Sequence, residues 1–68
     1  MTTGEHMKAA RKAAGLSRPQ LSKISGISVV AIYNNEHDLV LPRLFTVICL
    51  ADALKISIDE YIGRTVPR

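Results

Sequence analysis

The chain has 68 residues, is 47% hydrophobic and carries a net charge of +3. That length allows one small domain, near the lower size at which a core holds without disulfides or metal, and the apolar fraction excludes a disordered tail. A single cysteine excludes an internal disulfide framework, and no apolar run approaches the roughly 20 residues of a membrane span.

The N-terminal Met1-Thr2-Thr3-Gly4-Glu5 lacks the basic and apolar regions of a signal peptide, so a cytoplasmic protein is expected. The charge is unevenly spread. Residues 1–34 hold five Lys and Arg against Glu5 alone, a net +4. Residues 35–68 hold four against five Asp and Glu, a net −1. A basic half beside a mildly acidic one suits a polyanion-binding face, although +3 in total is also ordinary surface charge.

Nothing in the chain alternates as a strand does, and the four glycines and three prolines fall mostly at element ends, so the fold class is all-α. The first helix is predicted at about 5–14, with Met7, Ala10 and Ala14 facing inward and Gly15 after its end. The second is predicted at about 18–25. Ser17 is its N-cap, Gln20 completes a capping box and Pro19 sits in the first turn, where its missing N–H is not needed. Leu21 and Ile24 supply an apolar pair, and Gly26 ends the helix. Ser28 caps a third helix at about 29–35.

A fourth helix, about 43–54, opens at Pro42 or Arg43 with the stripe Leu44, Val47, Ile48, Ala51 and Leu54. A fifth, about 57–62, starts at Ser57 with Glu60 as a second capping box. Tyr61 and Ile62 close the core, Gly63 ends the helix, and Arg64 to Arg68 reads as a frayed tail.

Leu16 to Pro42 organises the rest. Two short helices joined by a glycine-containing turn of about four residues form a helix-turn-helix, whose second helix is offered to a DNA groove. With Ile27 and Ile32 in the core, Ser28, Val29, Val30, Tyr33 and Asn34 point outward. Two adjacent β-branched residues on an exposed helix face are unfavourable in water, but they suit thymine methyl groups in a major groove. Asn34 can pair bidentately with adenine. Ser28, Val29, Val30 and Asn34 are therefore the candidate base contacts. Ser17 and Arg18, at the dipole-positive start of the second helix, and Tyr33 are candidate phosphate contacts. The alternative for this face is that one valine is core and Tyr33 covers it.

As a set, Gly15-Leu16-Ser17, Leu21-Ser22, Gly26-Ile27-Ser28, Ile32, Glu36, Pro42, Leu50-Ala51-Asp52-Ala53-Leu54 and Ser57-Ile58-Asp59-Glu60-Tyr61 resemble the Cro/CI-type (XRE) helix-turn-helix domain of phage and bacterial repressors. The resemblance runs from about Met7 to Gly63. It implies a single five-helix domain over residues 1–68, an ion pair between Arg11 and Glu36, and Arg43 near the DNA backbone. It also implies that Ile58 lies at a dimer contact, and that a homodimer binds duplex DNA at a palindromic operator as a transcriptional regulator.

The chain departs from the pattern in several places. Arg18 stands where the family often has glutamine. Asn35 replaces a buried aliphatic residue, so that either it caps the helix C-terminus or the third helix ends a residue early. His37-Asp38 replaces a pair ending in glycine. Leu39-Val40-Leu41 replaces residues that are usually polar or basic, and Phe45 and Cys49 fall where the family tends to be polar.

These departures support a second reading, an antitoxin-like or partner-binding module. Leu39, Leu41, Phe45 and Cys49 would then form an exposed apolar patch, unless the loop folds back under Phe45 and enlarges the core. His6, His37 and Cys49 lie on separate elements at no ligand spacing. Neither a phosphate-binding glycine loop nor paired carboxylates on one face occur. No enzyme, metal or cofactor is expected.

Overall fold

The computed structural model describes residues 2–63; the Arg64–Arg68 tail lies outside them. Five helices follow in order: α1 Thr3–Ala13, α2 Arg18–Ser25, α3 Val29–Glu36, α4 Leu44–Leu54 and α5 Ile58–Ile62. The local reasons are mostly caps. Thr2 accepts the Glu5 N–H (3.1 Å) while the Glu5 carboxylate accepts the Thr2 N–H (2.9 Å). This capping box starts α1 two residues earlier than predicted. The Thr2 bonds hold the Glu5 carboxyl below its usual pKa.

Ser17 and Gln20 form the same reciprocal pair at α2, at 3.2 and 2.8 Å, and Gly26 ends that helix at φ +77°. Ser28 caps α3 through the Ala31 N–H at 3.1 Å. At α5 only one arm forms, from the Glu60 N–H to Ser57 Oγ at 3.1 Å.

The end of α3 differs from both alternatives for Asn35. The helix continues through Glu36. Asp38 then turns left-handed (φ +56°), while the Asp38 and Leu39 N–H groups donate to the Asn35 and Asn34 carbonyls at 3.3 and 2.9 Å. Aspartate thus fills the glycine position of a Schellman turn. Its carboxylate also accepts the Gly4 N–H at 3.0 Å, which ties α1 to the end of α3. Only glycine fits at position 4, since a Cβ would collide with the Asn35 and Glu36 carbonyls.

Met7, Leu21, Ile32, Val47, Leu50, Ala51, Leu54 and Tyr61 make the core. Helix α1 packs on α5 and α3, α2 on α3 and α4, and α4 on α5. Five inward predictions need correction. On α4, Leu44 is 69% exposed and Ile48 is also exposed, while Leu50 is fully buried. The core face is Val47, Leu50, Ala51 and Leu54, and Leu44 projects from the first turn beyond the globule. Ile24, Ala14 and Ile62, near the ends of α2, α1 and α5, are exposed as well. Among the described residues, no helix is long and apolar enough to cross a membrane.

Candidate nucleic-acid interface

Glu36 anchors the helix-turn-helix to the first helix. Its side chain is fully buried and is gripped by Arg11, from Nε at 2.6 Å and Nη2 at 3.2 Å. Arg11 Nη1 also donates to the Leu16 carbonyl at 2.8 Å, joining the end of α1 to the start of α2. A buried carboxylate without such partners would carry a large desolvation penalty. Here two guanidiniums meet it, because Arg18 donates from Nε at 3.1 Å and places Nη2 at 3.1 Å. Arg18, expected at a phosphate, is thus already engaged inside the protein. Its guanidinium also lies 5.1 Å from the centre of the Tyr33 ring.

With Ile32 and Glu36 inward, the opposite side of α3 faces solvent. Ser28, Val29, Val30 and Tyr33 are exposed, and Val30 is 68% so; Asn34 is half-buried. No valine of this face is core, and Tyr33 does not cover Val30; it packs instead on His37, ring centres 4.2 Å apart. The Ser17 and Ser28 hydroxyl oxygens each accept a backbone N–H, which leaves each O–H free to donate to an anion. Arg43 is exposed at the start of α4, with no side-chain bond to that helix.

The loop after α3 does not fold back under Phe45. Leu41 is 90% exposed, Phe45 72%, and Leu39, Val40 and Ile58 are exposed as well. Cys49 is half-buried. Leu44 and Ile48 extend this apolar surface, and sequence reading missed them because helix α4 is apolar around most of its circumference. Beside Val40 and Leu41 an open pocket of about 360 Å³ reaches down to Asn35 and Tyr61. The Tyr61 hydroxyl is buried without a hydrogen-bond partner, and burial together with the Glu36 charge raises its pKa to about 12. Among the described residues, no cluster of His, Cys, Asp or Glu could hold a metal ion.

This arrangement agrees with what the chain is similar to. The model of the helix-turn-helix family matches residues 7–61. The cryptic phage CTXphi transcriptional repressor RstR of Vibrio cholerae serotype O1 is 36% identical over 64 residues, 94% of this chain. The chain spans 57% of that relative's length. The fold is similar to the P22 c2 repressor, solved in complex with synthetic operator 9T in the presence of Tl+. That likeness has a TM-score of 0.87 at 29% identity and covers 96% of this chain and 98% of the other. The chain belongs to the helix-turn-helix family, of the Cro/CI (XRE) type.

Proposed function

We propose that this chain is a sequence-reading DNA-binding domain that represses transcription by occupying a palindromic operator as a homodimer. The observation that carries the reading is the outer face of α3. Ser28, Val29 and Val30 stand exposed at the start of a helix whose other side is locked by Ile32 and the Glu36 ion pairs. The similarity to a repressor solved on its operator supports the same reading.

Val29 and Val30 would meet thymine methyl groups, Asn34 an adenine edge, and Ser28 a base edge or phosphate. Ser17, Tyr33 and Arg43 would hold phosphates, which set the register without reading sequence. The exposed residues Leu39, Leu41, Phe45 and Ile58 would form the homodimer face, aligning two α3 helices on half-sites one helical turn apart. Such a domain would act in the cytoplasm, without catalysis or cofactor.

Selection of binding sites from a random duplex pool at physiological salt tests it. An inverted repeat with half-sites about 10 bp apart is the expected product. Weak, salt-sensitive binding with no recovered motif would overturn it. The exposure of Leu41 and Phe45 also favours a second reading, in which the patch binds a different protein. A chain that stays monomeric on its operator would favour that reading.

A further inference from the structure

Arg18, Tyr33 and His37 form a row across α2 and α3 that the ion pair alone does not explain. The Arg18 guanidinium is fixed at one edge by Glu36 and lies over the Tyr33 ring, whose other neighbour is His37. Helical side chains lean toward the N-terminus, and residues three and four apart are neighbours. An unrestrained Tyr33 would therefore settle over Val30 and Val29, the apolar surface offered to the groove. Held between Arg18 and His37, it leaves Val30 among the more exposed apolar residues of the helix-turn-helix.

We propose that Arg18 is a positioning residue for the reading face: it holds the Tyr33 ring off Val30, and so sets sequence preference without contributing a phosphate contact. This rests on α3 being the DNA reader. The role needs a planar guanidinium, which can fork onto Glu36 and stack on a ring at once. A lysine ammonium cannot do both. Arg18 turns its Nε and Nη2 to Glu36 and its flat face to the Tyr33 ring, which leaves those donors unavailable to a phosphate.

The test compares wild type with Arg18→Ala, Arg18→Lys, Tyr33→Ala and the Arg18→Ala/Tyr33→Ala double variant. Affinities for the selected operator and for an unrelated duplex are measured at several salt concentrations, with the folded state of each variant checked by circular dichroism. Arg18→Ala should lower the operator-to-unrelated ratio about tenfold and leave the slope of log K against log salt unchanged, and Arg18→Lys should behave alike. In the Tyr33→Ala background, Arg18→Ala should change the ratio no further, because no ring remains to be held.

A slope shallower by about 0.9, with operator and unrelated DNA weakened equally and lysine restoring both, would identify a phosphate contact and overturn the proposal. An undiminished ratio in Arg18→Ala would overturn it too. If wild type itself shows no operator preference, the DNA reading fails first and this proposal with it.

Discussion

Helices α3 and α4 both expose large apolar side chains, but the surroundings differ. On α3, Val29, Val30 and Tyr33 alternate with Ser28 and Asn34, and the helix is pinned from behind by a carboxylate between two arginines. On α4 and the loop before it, Leu39, Val40, Leu41, Leu44, Phe45 and Ile48 are exposed with Arg43 the one cation among them. A surface mixing methyl groups, hydroxyls and an amide suits the edges of base pairs, which mix the same groups. A surface made mostly of aliphatic and aromatic carbon suits another protein surface. Hydrophobic exposure by itself therefore does not name a partner; the polar groups interleaved with it do.

The largest break should come from the pin behind α3. Glu36→Ala strands the buried Arg11 guanidinium and releases Arg18, and urea denaturation should record a loss of about 3–5 kcal/mol. A loss below about 1 kcal/mol would show that packing of Ile32 alone orients the helix.

Tyr61 lies beneath both regions and gives a pH test. Its unfolded hydroxyl ionises near pH 10, whereas the folded one stays protonated to about 12. The raised folded value means that stability is intact below pH 10 and falls as pH rises toward 12. At about 1.4 kcal/mol per unit, the loss is roughly 3 kcal/mol. Tyr61→Phe should remove that alkaline component and, because the hydroxyl has no partner, should leave stability at pH 7 unchanged or higher. A substantial loss at pH 7 would reveal a bond to that hydroxyl.

Phe45→Lys separates the two surfaces. It should weaken self-association by about 2 kcal/mol or more, from lost apolar burial and repulsion across a two-fold axis, without lowering thermal stability. Sedimentation that still reports a dimer would move the interface elsewhere. Asn34→Ala should cost roughly 1–3 kcal/mol on the operator and relax preference at one base pair. The smallest effect is expected from Arg43→Ala, which should weaken all duplexes alike and reduce the salt slope by about one.

Much of the architecture was legible because it is local. Ser17 with Gln20, Ser28, Ser57, Gly15, Gly26 and Gly63 mark helix ends through bonds or backbone angles within a few residues. The early start of α1 rests on the same kind of signal, the Thr2 and Glu5 capping box, which involves no apolar spacing. The phase of α4 was not legible in that way. With apolar side chains on most sides, several stripes satisfy helical periodicity, and Leu44 or Leu50 could each have been inward.

The sequence by itself determined five helices, a glycine turn before the third, and a third helix whose outer positions mix valines with polar groups, since those features depend on neighbours within about one turn. Only the tertiary structure decided that Arg18 faces Glu36, 18 positions away, and that Leu50 rather than Leu44 enters the core. The physical reason is common to both. A guanidinium or a leucine has several locally equivalent places to go, and the choice is made by which distant group removes it from water.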